Sequence, residues 1–293
     1  MSFCVNCGRQ YDKPSGICPD CLSDQIIPEE VLSANKFDFR ESDSPSFGFP
    51  GEKGALILSL IVTIIIVTII GVISLGLFFI ILLINLVYLK INHLSFQKNM
   101  IRVSENNFPK IFKLAKISAY RLRLSMPEIY ITMSPEYNAY TMGFYKYGFI
   151  VIDSSLANDF KPEELLFVIG HEMGHIKRYH TTWLNLIYPA KAGGVNFAFA
   201  PIMHMIFNVW SVKAEHTADQ AGLIATRDLK AAIACLLKLA GGPNVEKEVD
   251  IDKLTNPEHE GGTIISSIIE YLGTHPFIEN RIKQLISFNK KRV

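Results

Sequence analysis

The residues best suited to chemistry lie at His171-Glu172-Met173-Gly174-His175. Two histidines four positions apart fall on one face of an α-helix, so both imidazoles can reach a single metal ion. Glu172 is rotated onto the neighbouring side. There its carboxylate can take a proton from a metal-activated water and later deliver it to a leaving amine. The bland alternative is a pair of solvent-facing histidines on an ordinary helix. A catalytic zinc keeps three protein ligands and one open position, so a third donor is required. A histidine at 181 with a glycine at 178 would supply it, but those positions are Thr181 and Arg178. Further on, Glu215-His216-Thr217-Ala218-Asp219 offers two carboxylates four apart. Glu215 can complete the ligand set, and Asp219 can accept from the free ring N–H of a ligand histidine and fix its tautomer. The competing reading is a solvated helical face. His180, five residues past His175, is read as a surface or supporting residue.

A second cluster is chemically different. Four of the five cysteines form two knuckles, Cys4-Val5-Asn6-Cys7 and Cys18-Pro19-Asp20-Cys21. Two such pairs complete a tetrahedral four-thiolate zinc site, and Gly8 and Gly16 fit the tight turns of a zinc ribbon. A segment this short cannot build a core, so the structural zinc would hold its fold. Cys235 is left as a buried thiol. Net charge is +1, and no Lys/Arg cluster accompanies the knuckles, so nucleic acid is not an expected partner. A protein partner for the ribbon is the better expectation.

These groups need elements to position them. Pro162, Glu163 and Glu164 read as a helix N-terminus matched to the macrodipole. Leu165, Leu166, Val168 and Ile169 then give the helix a broad apolar surface. Ala218, Ala221 and Gly222 leave little bulk around Glu215 and Asp219, as expected if that segment packs closely on the first helix. Composition divides the chain into a ribbon at 1–24, a Pro/Ser/acid-rich flexible linker at 25–54, a transmembrane segment at 55–89 and a catalytic domain at 90–293. The segment 55–89 contains no charged side chain. As one helix it would be about 52 Å long against a hydrocarbon core of about 30 Å. A hairpin turning near Gly71, Ser74 and Gly76 is therefore favoured over a single tilted span. Lys90, Lys98, Arg102, Lys110, Lys113 and Lys116 follow the run and favour a cytoplasmic side. Reduced thiolates place the ribbon in the cytoplasm too, which again requires an even number of crossings. The apolar stretch 192–212 reads equally as a membrane-dipping segment or as a buried helix pair.

HExxH, followed about forty residues on by ExxAD, resembles the HtpX and CAAX-prenyl-endopeptidase superfamily of gluzincin metallopeptidases. Asn138-Ala139-Tyr140-Thr141-Met142-Gly143 is similar to the family's edge strand, which pairs with substrate backbone, and 147–153 to the strand after it. Thr274-His275-Pro276, then Arg281-Ile282, resembles its C-terminal element. The likeness spans about 102–286. It leaves out the ribbon, and the length of the apolar run is not a general family feature. The resemblance implies polypeptide substrates bound along Asn138 and Ala139. It makes His275 a candidate donor to the oxyanion or, alternatively, a capping or surface histidine. Arg281 either orients an acid in the site or bridges helices. Tyr145 and Tyr147 are further oxyanion candidates that spacing does not separate.

The expected fold is α+β: a mainly helical zincin-like domain with a small mixed sheet whose edge borders the cleft, preceded by the ribbon and the transmembrane hairpin. The expected protein is an integral membrane zinc endopeptidase, carrying one catalytic and one structural Zn2+, set in lipid with its working parts in the cytoplasm. A role in membrane or cytosolic protein quality control follows by analogy. The alternatives are a catalytically silent zincin scaffold, a ribbon adaptor at the membrane, and a strict prenyl-protein endopeptidase, for which the spans are too few to enclose a membrane chamber.

Overall fold

The computed structural model describes residues 45–74, 100–143, 148–187, 200–242 and 276–291, the positions 80, 83, 249 and 251, and three strands within 2–28. Of residues 2–4, 10–11, 26–28, 184–187, 200–204 and 276–277 it describes the backbone. The three strands are β1 (Ser2–Cys4), β2 (Gln10–Tyr11) and β3 (Ile26–Pro28), antiparallel in the order β2-β1-β3. Cys4 ends β1. Cys7, Cys18 and Cys21 lie outside the described residues, and so does the geometry of the expected thiolate site.

Helix α1 (Glu52–Ile73) begins three residues before the apolar run and passes through Gly71 to a cap at Ser74. Its 22 residues span about 33 Å, enough to cross a hydrocarbon core of about 30 Å. It is the one described helix long and apolar enough to do so. The return arm of the expected hairpin lies outside the described residues, apart from Ile80 and Leu83. Ile57, Leu58, Ile61, Ile64, Ile65, Ile69, Val72 and Ile73 are each more than half exposed, an apolar surface unsuited to water. Thr63 and Thr68 donate to the carbonyls of Ser59 and Ile64, both at 2.8 Å, so their hydroxyls are satisfied within the helix.

The rest forms a helical layer on a small sheet. Strands β4 (Ile101–Arg102), β5 (Glu128–Thr132), β6 (Ala139–Met142) and β7 (Phe149–Asp153) lie in the order β4-β5-β7-β6. β5 and β7 are parallel and the other pairs antiparallel, which leaves β6 as an edge. Alternation puts Ile129, Ile131, Ile150 and Ile152 against the helices, and Tyr130, Met142, Phe149 and Val151 on the opposite face. The helices are α2 (Pro109–Arg121), α3 (Ser154–Asp159), α4 (Pro162–Lys177), α5 (His180–Ile187), α6 (Ala200–Thr226), α7 (Leu229–Gly241) and α8 (Pro276–Lys290).

α4 is the centre of the fold, buried from Glu164 to Ile176. Its start is fixed by a capping box in which the Lys161 N–H donates to Glu164 Oε2 at 2.8 Å. Lys238 of α7 donates to the other oxygen of Glu164 at 2.8 Å, so this buried carboxylate is paired as burial demands. The expected stretch 192–212 enters the first half of α6. That half runs antiparallel to α1: Ser59 Oγ donates to the Ile206 carbonyl at 2.9 Å, and Phe207, Trp210 and Ala214 pack with Ala55, Leu56, Leu60 and Trp183.

The second half of α6 crosses α4 almost backbone to backbone. A Cβ on Gly170 would stand 2.3 Å from Ala225 Cβ, and one on Gly174 would stand 2.7 Å from Ala221 Cβ and 3.2 Å from Ala218 Cα. Gly222 is equally tight, its Cβ position lying 2.8 Å from the Phe167 carbonyl oxygen. Gly170→Val should accordingly lower unfolding stability by about 1–3 kcal/mol or more through overpacking. Denaturant unfolding of the detergent-solubilised protein measures it, and an unchanged midpoint would contradict the closeness of this crossing.

Candidate metal centre

The crossing sets the chemistry. His171 and His175 stand one turn apart on α4 and face Glu215 on α6. Their Nε2 atoms are 3.1 Å apart, and Glu215 oxygens lie 3.5 Å from His171 Nε2 and 3.6 Å from His175 Nε2. All three donor atoms fall within 4.8 Å of one another. Ligands about 2.0–2.1 Å from a tetrahedral zinc are separated by about 3.3 Å, so this donor set fits the ion without rearrangement. Two imidazoles and one carboxylate also leave the open position that catalysis needs. Glu215 keeps 29% of its side chain exposed, so solvent reaches this side of the site.

Each histidine has a partner behind it. Asp219 Oδ1 accepts from His171 Nδ1 at 3.0 Å, leaving the Nε2 lone pair directed at the metal position. Asp219 is in turn held by Arg281 of α8, whose Nε and Nη2 donate to its two oxygens at 2.7 and 2.6 Å. The same guanidinium reaches within 3.6 Å of Glu215. Thus Arg281 both orients acids of the site and ties α8 to α6. Behind His175 stands His180, with the two Nδ1 atoms 3.1 Å apart. His180 is almost fully buried, so the choice between surface and supporting residue falls to the latter.

The charges are arranged for a cation. Burial disfavours the charged form of His171, but hydrogen bonds to Asp219 and Glu215 and their charges push its pKa up to about 10. Burial also opposes ionisation of Glu215, yet hydrogen bonding to His171 and the charge of Arg281 hold its carboxyl well below the usual range. His175 is lowered well below the usual histidine range, first by burial. Asp219 is lowered despite burial, mainly by Arg281.

Glu172 is 6% exposed, and burial lifts its pKa to about 7. Thr141 on β6 is its hydrogen-bond partner, and Thr181 Oγ1 donates to Thr141 Oγ1 at 3.1 Å, which leaves the Thr141 hydroxyl to donate to the carboxylate. Ala139 shares the helix-facing side of β6 with Thr141, packing on the main core. Asn138, just before β6, is exposed, and its carbonyl accepts from the Asp153 N–H at 3.0 Å. His275, Tyr145 and Tyr147 lie outside the described residues.

Sequence reasoning missed two contributors. Thr141 sits inside the quoted edge-strand motif, and strand alternation could have turned it toward the helices. Glu52 at the start of α1 is 6% exposed and accepts from His180 Nε2 at 2.8 Å. It belongs to a stretch read as linker, whose described end docks on α6. Gly48 N–H donates to Gln220 at 2.9 Å, Phe49 N–H to Thr217 at 2.8 Å, and Phe49 lies against the His216 ring.

The family model described as Peptidase family M48 matches residues 107–288. The chain is 32% identical over 157 residues to the plastoglobule-localized metallopeptidase 48 of Arabidopsis thaliana, which covers 51% of this chain and 46% of that protein. It is 26% identical over 220 residues to a protease HtpX homolog of Tropheryma whipplei, covering 63% of this chain and 74% of that one. A second HtpX homolog, from Thermodesulfovibrio yellowstonii, is 31% identical over 96 residues, 32% of this chain and 34% of the relative. The chain thus spans about half the length of the first relative and about three quarters of the second. No solved structure matches.

Proposed function

The chain belongs to peptidase family M48, and from that premise we propose that it is a membrane-anchored zinc endopeptidase with His171, His175 and Glu215 as ligands and Glu172 as general base. The observation that carries the reading is the meeting of three donors at tetrahedral spacing beside a buried carboxylate. Zinc, when bound, supplies Lewis acidity toward water and the scissile carbonyl. Glu172 takes the proton of the attacking water and passes it to the departing amine. Thr141 aims the Glu172 carboxylate, while Asp219 and His180 hold the two imidazoles. A polypeptide substrate adds to the open edge of β6 through main-chain hydrogen bonds, with Asn138 and Ala139 at the start of that edge. The oxyanion is assigned to His275 as donor.

The remaining parts of the proposal follow the composition. The ribbon at 1–24 holds a structural zinc through Cys4, Cys7, Cys18 and Cys21 and receives a protein partner. The apolar segment 55–89 forms a hairpin in lipid, with ribbon and catalytic domain (90–293) in the cytoplasm. Its substrates are polypeptides met in membrane or cytosolic quality control.

The test is cleavage of an unfolded model protein by the detergent-purified chain before and after treatment with a chelator. Activity should vanish with the metal and return with zinc. Persistence after complete metal removal would refute the reading, and inactivity of the fully zinc-loaded chain toward any polypeptide would favour a silent scaffold. A pH profile adds a second check. Burial places Glu172 at about 7, and a cation on the neighbouring ligands draws it down from there. The carboxylate is protonated as pH falls through its pKa, so kcat/KM should drop along an acid limb between the ordinary carboxylate range and 7. A flat profile across that interval would rule out Glu172 as the titrating base.

A further inference from the structure

His171 has a carboxylate behind it; His175 has another imidazole, and the geometry says what stands at the end of that line. His175 presents Nε2 to the metal position, so in its neutral form the proton sits on Nδ1 and is donated to His180 Nδ1, 3.1 Å away. His180 must then carry its own proton on Nε2, which is donated to Glu52 Oε1 at 2.8 Å. The other oxygen of Glu52 accepts from the Thr217 hydroxyl. Every donor and acceptor along this line is matched, and one tautomer of each ring satisfies it.

Local backbone geometry serves the line at both ends. α4 and α5 are joined through Tyr179 at φ 60, a left-handed conformation uncommon for a residue with a side chain, and the reversal brings His180 back over His175. Gly51 at φ 75 precedes α1 and turns Glu52 inward, where it is 6% exposed rather than directed to solvent like most first-turn acids. Lys213 Nζ donates to the Pro50 carbonyl at 3.0 Å, so the turn itself is tied to α6 two residues before Glu215.

We infer that Glu52, the first residue of the membrane helix, is a positioning residue of the metal centre, acting through His180 on the ligand His175. This rests on the reading that His171, His175 and Glu215 hold zinc. The membrane anchor is then part of the metal site rather than a tether for it, and an anionic group on α1 does for His175 what Asp219 does for His171.

The test uses the full-length chain in detergent, titrated with cobalt(II). Thiolate charge-transfer absorption reports any ribbon site, so binding to the nitrogen and oxygen donors is counted separately. Glu52→Ala and His180→Ala should each weaken that second site by about 10–100-fold, and Glu52→Gln, which keeps shape but not charge, by about tenfold. Glu52→Asp should recover part of the loss. The double variant Glu52→Ala/His180→Ala should bind no more weakly than His180→Ala alone, because the two act in series. Ser59→Ala, which removes an α1–α6 hydrogen bond away from the site, should leave cobalt binding unchanged. Additive losses in the double variant, or wild-type affinity in Glu52→Gln and His180→Ala, would overturn the inference. His171→Ala separates this from the reading beneath it: retention of the second cobalt ion there would sink the ligand assignment itself.

Discussion

Glu172→Gln is expected to keep the metal content of the wild type and to lower kcat for peptide hydrolysis by about 10²–10⁴-fold. The substitution preserves the volume of a side chain only 6% exposed, and the hydrogen bonds from His171 to Asp219 and between His175 and His180 do not pass through residue 172. The Thr141 hydroxyl can still donate to the amide oxygen, so the local packing has no reason to change. What is lost is the ability to accept a proton from water and return it to nitrogen. Metal analysis and single-turnover cleavage on the same preparation check it. Wild-type kcat in a metal-replete Glu172→Gln protein would move the base elsewhere.

Asp219→Ala should fail differently, losing both stability and metal. Arg281 keeps 12% of its side chain exposed and donates to both oxygens of Asp219. Glu215, at 3.6 Å from the same guanidinium, remains as an ion partner without reproducing the paired hydrogen bonds to Asp219. Removing one partner of a buried pair costs up to about 3–5 kcal/mol, and the Glu215 carboxylate 3.6 Å away compensates part of the guanidinium charge, which places the expected loss toward the lower end. Separately, His171 loses the acceptor that fixes its tautomer, and zinc affinity should fall by about 10–100-fold. A second substitution parts the two effects. Asp219→Ala/Arg281→Met removes the stranded charge and should regain much of the stability, while metal affinity stays low. If affinity recovers along with stability, Asp219 matters only as the partner of Arg281.

Much of this site was legible because its information is local. The i and i+4 spacing of His171 and His175, and of Glu215 and Asp219, states a helical face without reference to anything distant. The small residues Ala218, Ala221 and Gly222 announced a close crossing for the same reason, and Gly170 and Gly174 supply its other half. The segment from Asn138 to Gly143 resembled an edge strand, and β6 lies at the edge of a mixed sheet. What stayed hidden depends on contacts with no local signature. Glu52 meets His180 across 128 positions, and an acid next to glycine and lysine after a proline-rich stretch reads as solvent-exposed until the fold brings it in. Composition likewise assigned 45–51 to a linker, because backbone N–H groups that dock on Gln220 and Thr217 leave no mark in side-chain hydrophobicity. His180 was ambiguous because its direction is set by the left-handed residue Tyr179, and nothing in a tyrosine foretells that conformation.

The glycine–alanine crossing of α4 and α6 bears on which ions the site can admit. Side chains without rotamers cannot exchange one packing for another, so the separation of the two helices is set by contacts that compress poorly and have nowhere to expand. Three donors held within 4.8 Å by such a joint suit a small ion content with four ligands. Calcium, which takes six to eight oxygens at longer distances, would have to pry the helices apart to be satisfied. On the proposed ligand set, selectivity would begin in the mechanical stiffness of a helix joint, before the affinities of nitrogen and oxygen for any metal are compared.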